Sequence, residues 1–466
     1  MDALAALDSL MLAGEKLGSP THVGIVLIFT PPSDAGPDYL DELHRDSLLG
    51  DYDIDPRLRR HPHQGLDTGG LWVWREAAEV DLRKHMRRTT LPAGSGLPQL
   101  WELVSTLHSE RLEMSAPLWS SCLIDGLADG RFALYVKVHH IVVDGVGGLK
   151  MISDSLSPDP ERRFMPPFYV GHHRAAAAVE HRRRLPNPLA AVDLARRVAA
   201  AEIANIAGSL RSDTVVAPLE APHTRFNARL GPRRTATGTS LSRARIQAVQ
   251  KSAGVTGNDA ITAVIAGAVR AWLQARGELP QRSLVAMCPV SVRSNHDDDA
   301  AEESSGNQFG LGLCPLGTDI ADPVARLTFI HRAMTGIKNE VASKGSDAML
   351  AVMGPAIGST VVPALLPFPT AVPPSCNLAI SNVPGPRKPM YYNGAHLDEF
   401  YPVSTAFDGM GLNVTVCRYA GQIMVGYVSA AGIIDDIGEL VGLTEAALAE
   451  LEAAFECGQP RQWHHS

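Results

Sequence analysis

The amino-acid sequence predicts a mixed fold of the α/β or α+β class, with more than one domain. Short apolar runs that read as strands, at 22–29 and 132–140, are interspersed with helical patterns such as 97–112. The chain has 466 residues, of which 45% are hydrophobic and 20% are charged. This length and composition allow a large buried core and roughly two to three domains.

The later part of the chain continues this mixture of strands and helices. A helix is predicted over 260–276, with Asn258 and Asp259 as candidate caps at its start. The other predicted elements are a strand at 283–292, strands at 411–417 and 422–429 joined by a tight turn, and a final helix over 435–455. No repeat of fixed period occurs, which disfavours a solenoid.

The amino-acid composition changes between residues 158 and 222, where alanine-rich helical stretches carry clusters of arginine. We therefore predict an N-terminal domain at 1–157, a helical basic linker at 158–222 and a C-terminal domain at 223–466. A solvated helix face is the ordinary explanation for the arginines at 182–184. Contact with anionic lipid is the alternative.

The overall charge excludes one large class of partners. A formal net charge of -8 and a pI near 6.1 argue against nucleic-acid binding, which depends on a basic surface. The six cysteines are widely spaced and are expected to be reduced thiols. Asp2 and Asp8 stand where a signal peptide would carry positive charge, so we expect a cytoplasmic protein.

The stretch from Ala348 to Pro386 contains no charged residue, yet it does not read as a membrane span. Six prolines between Pro355 and Pro374 prevent a continuous helix of about 20 residues. The stretch is either a buried core segment or a surface that contacts lipid or lines an acyl-chain site.

The most informative stretch is Arg131 to Gly148, RFALYVKVHHIVVDGVGG, in which a strand-like run ends in two histidines. Alternation along a strand predicts that His140 shares an apolar face with Val138, whereas His139 lies on the other face with Lys137. A neutral imidazole at an apolar site is suited to accept a proton near neutral pH. A histidine at a strand end is more often a satisfied polar residue, and no accompanying ligand spacing indicates a metal site.

The residues after the histidines turn the chain sharply into a helix that continues through Leu149 and Met151. Gly145 and the glycines that follow it permit a close backbone approach. Asp144 has two interpretations that the residues alone leave open. It either caps the helix or pairs with an arginine elsewhere and so fixes the histidine turn.

This pattern resembles the HHxxxDG signature of the chloramphenicol acetyltransferase-like superfamily, with His139, His140, Asp144 and Gly145 at the specified positions. Other blocks are similar to the wax ester synthase/diacylglycerol acyltransferase family over nearly the whole chain. They are Ala6 to Leu12, Thr21 to Gly24, Pro117 to Trp119, Gly257 to Asp259, Pro289 to Arg293, Gly306 to Asn307, Ala321 to Pro323 with Arg326 and Leu327, and Ser381 to Pro386. Thr21 replaces the family's methionine, and Cys314-Pro315 departs from its usual block.

The resemblance implies two chloramphenicol acetyltransferase-like domains with the active site in a channel between them. It implies transfer of a fatty acyl group from acyl-CoA to diacylglycerol or a long-chain alcohol, with His140 as general base. Arg293 becomes the expected ion-pair partner of Asp144, and Asn258 is a candidate donor to the oxyanion. No cofactor is expected beyond acyl-CoA as co-substrate.

The lipid acceptors imply peripheral association with a membrane or lipid droplet. The candidate contacts are Ala348 to Pro374 and the arginines at 182–184. Two other hypotheses remain. The protein is either a transferase that uses a carrier-bound thioester or a non-catalytic lipid-binding protein of the same fold.

Overall fold

The structure is a computed structural model. It describes residues 4, 8–9, 11–12, 15, 20–50, 52–143, 145–171, 214–291, 309–340 and 373–456. The strands are β1 (His22–Thr30), β2 (Arg60–His63), β3 (Val73–Glu76), β4 (Met86–Ser95), β5 (Trp119–Leu127), β6 (Phe132–His139), β7 (Arg234–Ser242), β8 (Val285–Ser291), β9 (Phe309–Pro315), β10 (Leu378–Val383), β11 (Tyr391–Tyr392), β12 (Ala395–Val403), β13 (Leu412–Tyr419) and β14 (Gln422–Ala430).

Helices pack around these strands. They are α1 (Tyr39–Leu49), α2 (Leu82–His85), α3 (Leu97–Ser109), α4 (Gly145–Asp154), α5 (Arg243–Ala253), α6 (Gly257–Ala275), α7 (323–340) and α8 (Glu439–Glu456). Within the described ranges, no helix is both long enough and apolar enough to cross a bilayer.

The first sheet has six strands in the order β11-β12-β1-β6-β5-β4. β4 and β5 run parallel, and the other neighbours are antiparallel. One neighbour of β1 is β12, which comes from the far end of the chain. Leu27 of β1 lies opposite Phe400 of β12. The sequence assigned β11 and β12 to the C-terminal domain, so the predicted boundaries do not separate the two sheets along the chain.

The second sheet has the order β7-β14-β13-β10-β8-β9. β10 pairs in parallel with both β13 and β8, and the remaining pairs are antiparallel. Its core includes α6, which is apolar nearly all round and buried along most of its length, together with α5 and α8. Thr256 caps α6 and exchanges hydrogen bonds with Asp259 in a capping box, so the predicted Asn258 cap was wrong.

The two sheets touch where β12 crosses β7 and β14. Gly238 and Gly426 lie opposite each other in the β7–β14 pair. A Cβ atom on Gly426 would lie 1.8 Å from the carbonyl oxygen of Pro402, and one on Gly238 would lie 2.6 Å from Tyr401. Only glycine therefore permits this approach of the two backbones.

β7 is the edge strand of the second sheet, and α3 of the N-terminal part covers this edge. Ser105 and Ser109 lie one turn apart on α3, and their hydroxyls accept the backbone N–H groups of Ala236 (2.9 Å) and Arg234 (2.8 Å). An edge strand otherwise presents unpaired backbone groups to solvent. These bonds therefore join the two halves of the protein.

Several sequence predictions agree with the structure to within a few residues. The strand predicted at 22–29 is β1, the helix over 97–112 is α3, and the two strands across the Tyr419–Gly421 turn are β13 and β14. The predicted linker is described only at 158–171 and 214–222. Tyr169, within it, is buried and stacks on Trp119 at 5.6 Å, so this end of the linker belongs to the first core.

Candidate active site

The two histidines lie at the end of β6 and differ in environment. β6 ends at His139, whose backbone N–H binds the carbonyl of Leu118 at 2.9 Å, and His140 begins a turn. The backbone N–H of His140 donates to the carbonyl of Thr21 at 3.0 Å. Because His140 lies beyond the last strand residue, strand alternation does not fix the direction of its side chain as the sequence analysis expected.

His139 is completely buried and forms part of a hydrogen-bonded cluster. Its Nε2 lies 2.9 Å from Oε2 of Glu15 and 2.9 Å from Oγ1 of Thr21, and its Nδ1 accepts the backbone N–H of Ile141 at 3.2 Å. Nδ1 thus acts as an acceptor, and Nε2 faces the carboxylate of Glu15. With both ring nitrogens engaged, His139 fits a structural role better than a catalytic one.

Glu15 is the centre of this cluster. Its Oε2 also accepts the backbone N–H of Thr21 at 3.0 Å and the hydroxyl of Thr21 at 2.9 Å. Burial by itself raises the pKa of Glu15, but the hydrogen bonds from His139 and Thr21 outweigh burial and hold the pKa below its ordinary value. Glu15 is therefore a carboxylate that fixes both Thr21 and His139.

The face of β6 behind the histidines is unusually polar for a core. Lys137 is buried, and its Nζ donates to the carbonyls of Leu107 and Glu110 at 2.6 Å each, at the C-terminal end of α3. Burial lowers the pKa of Lys137 to about 8. Burial, followed by the charge on Lys137, lowers the pKa of His108 to about 3, so this neighbouring histidine is neutral.

Gly145 brings the start of α4 against the second sheet. A Cβ on Gly145 would meet Cγ1 of Val383, the last residue of β10, at 3.9 Å, which is ordinary van der Waals contact. Val383 also packs in the hydrophobic cluster of the first sheet. The turn that follows His140 therefore leads to a junction between the two sheets.

Asn258 lies in the first turn of α6 and contacts the same strand of the second sheet. Its Oδ1 accepts a hydrogen bond from Nδ2 of Asn382, which precedes Val383, at 3.1 Å. This pairing leaves the amide nitrogen of Asn258 as a donor. The structure thus connects Asn258, through β10, to the start of α4 at Gly145.

Comparison with known proteins decides the family. The model of the wax ester synthase/diacylglycerol acyltransferase catalytic domain matches residues 4–261, and that of the family's C-terminal domain matches residues 305–452. The chain belongs to the wax ester synthase/diacylglycerol acyltransferase family.

Individual relatives agree with this family. A Mycobacterium tuberculosis (strain H37Rv) protein named as a probable diacylglycerol O-acyltransferase is 35% identical over 464 residues, covering 97% of this chain and 99% of the relative. The solved wax ester synthase/diacylglycerol acyltransferase of Marinobacter aquaeolei VT8 superposes with a TM-score of 0.79 at 29% identity and covers 98% of this chain and 100% of its own.

The fold extends beyond the acyltransferase family. The starter condensation domain of rhizomide synthetase matches 98% of this chain and 96% of its own with a TM-score of 0.55 at 13% identity. The predicted two-domain α/β fold is thus confirmed.

Two of the expected site residues of this acyltransferase, Asp144 and Arg293, lie outside the described residues. Their ion pair stays a prediction. Across the described ranges, no three histidine, cysteine or acidic side chains group as metal ligands.

The role of Glu15 was not predicted from the sequence, and Thr21 was noted there as the first residue of a family-like block and as a replacement of the family's methionine. Glu15 precedes His139 by 124 residues, and no local spacing relates them. A signal was nevertheless present, because Glu15 closely follows the apolar block Ala6 to Leu12, and a buried acidic residue needs a partner.

Proposed function

We propose that this acyltransferase moves a fatty acyl group from acyl-CoA to the hydroxyl of a lipid, either diacylglycerol or a long-chain alcohol. The observation that best supports the proposal is the difference between the two adjacent histidines. His139 is buried with both ring nitrogens engaged, whereas His140 is only half-buried and begins the turn that leads to the junction between the sheets. This difference in burial supports the choice of His140, rather than His139, as the residue that meets the substrate.

In the proposed reaction, His140 removes the proton of the acceptor hydroxyl while the hydroxyl oxygen attacks the thioester carbonyl. The tetrahedral intermediate then breaks its carbon–sulfur bond, and CoA leaves as a thiolate that takes the proton from the imidazolium. The reaction needs neither a covalent acyl-enzyme nor a cofactor other than acyl-CoA as co-substrate. General-base assistance of this kind contributes about 10²- to 10⁴-fold.

Asn258 is the proposed donor to the oxyanion of the intermediate. The bond from Asn382 occupies the oxygen of Asn258 and so favours an orientation in which the amide nitrogen can donate to a substrate oxygen. A preorganised donor of this type contributes about 10²- to 10³-fold.

The acceptors are insoluble, so we propose that the enzyme works at the cytoplasmic surface of a membrane or lipid droplet. Of the contacts suggested by sequence, the arginines at 182–184 and residues 348–372 lie outside the described residues.

The test is a thiol-release assay with acyl-CoA and a panel of hydroxyl acceptors. His140→Ala should lower turnover at least about a hundredfold with an unchanged unfolding midpoint. His396→Ala, which removes another partly exposed histidine, is the control and should keep wild-type turnover. More than about a tenth of wild-type turnover in His140→Ala would contradict the general-base role. A requirement for carrier-bound thioester, or no release from any donor, would instead favour one of the two alternative functions.

A further inference from the structure

Two leucines are held out into solvent on the loop that joins β2 to β3, residues 64–71, here called the leucine loop. Leu66 is fully exposed and Leu71 is 66% exposed. Large apolar side chains at such exposure gain nothing from folding, because they stay in water. An apolar loop tip of this kind indicates contact with something outside the chain.

The exposure of these leucines is built into an ordered loop. The backbone N–H of Gly70 donates to the carbonyl of Gly65 at 3.0 Å. The side-chain amide Nε2 of Gln64 donates to the carbonyl of Gly70 at 2.8 Å. Asp67 is held from both sides by His63 and Arg75. A loop that is already ordered loses little conformational entropy when it docks.

The β2–β3 hairpin carries two tryptophans and an arginine next to the leucine loop. Trp72, just before β3, and Trp74, within it, are half-buried, and the guanidinium of Arg60 lies over the Trp74 ring at 5.2 Å. From the tip of the hairpin to its base, leucine is followed by tryptophan and then by arginine. Side chains meet hydrocarbon, interface and anionic headgroups in this order at a lipid surface. This layering favours a lipid surface over a protein partner.

The leucine loop is also continuous with the candidate active site. Trp72 and Trp74 pack in a hydrophobic cluster with Leu118, Ile141 and Val142. Ile141 directly follows His140 in the turn. An apolar layer therefore extends from the loop to the residues beside the histidine.

We propose that the leucine loop inserts into a lipid surface and places the His140 turn next to the acceptor dissolved there. The proposal rests on the proposed function, since a lipid acceptor is what makes this docking useful. The expected gain is large enough to measure, because burying one leucine side chain changes a partition coefficient by at least about tenfold.

The test is flotation of the full-length protein with vesicles of phosphatidylcholine and phosphatidylglycerol that contain diacylglycerol. The double variant Leu66→Ser, Leu71→Ser should partition at least about tenfold less than wild type. The control is Phe164→Ser, which removes a side chain that is 92% exposed on the segment that pairs with β11 through Ser157 and Tyr391. The control should stay within about twofold of wild type.

Activity separates this inference from the proposed function. The double variant should lose activity on vesicle-borne diacylglycerol and keep wild-type activity on a short, water-soluble alcohol. If wild type lacks activity on both acceptors, the proposed function fails while flotation still reports on the loop. Equal flotation of the double variant and wild type would overturn the docking proposal.

A second measurement covers the case in which the serine variants do not fold. An environment-sensitive fluorophore on Leu66→Cys should brighten when vesicles are added, and the same label on Phe164→Cys should not. An unchanged signal at Leu66→Cys would equally refute insertion of the loop.

Discussion

Removing the carboxylate of Glu15 should destabilise the protein and disturb the histidine turn at the same time. Three hydrogen bonds end on its Oε2 oxygen, from the backbone N–H of Thr21, the hydroxyl of Thr21 and Nε2 of His139. Each buried donor that loses its acceptor costs about 1–3 kcal/mol. Within the part of the chain that the structure describes, the other oxygen of Glu15 is buried and has no hydrogen-bond partner, so deleting it recovers part of that cost.

We therefore expect Glu15→Ala to lower the free energy of unfolding by about 3 kcal/mol at neutral pH. Turnover should fall as well, because the carbonyl of Thr21 accepts the backbone N–H of His140. Glu15→Gln, which keeps one acceptor oxygen, should recover more than about half of both losses. The measurements are urea unfolding followed by tryptophan fluorescence, and thiol release on the same preparations.

The pH dependence gives an independent check on this carboxylate. The pKa of Glu15 in the folded protein lies below its ordinary value of 4.5, so the folded state favours the ionised form. Its contribution is therefore complete above pH 4.5 and is lost as the pH falls through the lower, folded value. Stability of wild type and Glu15→Ala should converge on acidification.

The matched control is Glu102→Ala, which removes an exposed carboxylate on α3 and should change the free energy of unfolding by no more than about 0.5 kcal/mol. If Glu15→Ala unfolds at the same urea concentration as wild type and turns over equally fast, Glu15 does not hold the histidine turn.

Two further predictions concern the buried polar face and the contact between the sheets. Lys137→Met should leave the carbonyls at the end of α3 without their donor and cost about 1–3 kcal/mol. Because the pKa of Lys137 is about 8 when folded and 10.5 ordinarily, wild type should gain stability as the pH rises between these values, and the variant should lack that gain in urea titrations. Gly426→Ala should reduce soluble expression and the melting temperature, because its Cβ would overlap the carbonyl of Pro402, whereas Gly442→Ala in open space on α8 should be tolerated. A melting temperature of Gly426→Ala equal to that of Gly442→Ala would contradict the close approach of the sheets.

Local sequence patterns determined much of what was predicted correctly. The strands β1, β6, β13 and β14 and the helix α3 follow from apolar periodicity, which depends only on neighbours along the chain. The histidine pattern indicated the superfamily, and the other sequence blocks indicated the family. Alternation along β6 placed His139 on the same face as Lys137, and both side chains are buried there. The limit of this reasoning is His140, because β6 ends one residue before it.

Tertiary structure decided everything that depends on distant pairing. β12 joins β1 because their apolar faces and backbone bonds match in space, although they lie at opposite ends of the chain. The contact of Glu15 with His139 and the packing of α3 on the edge of β7 likewise join residues that lie far apart in the sequence. The sequence also shows leucines at 66 and 71 without showing that they remain in water. Which apolar residues are buried depends on what packs over them, and that is a property of the whole fold.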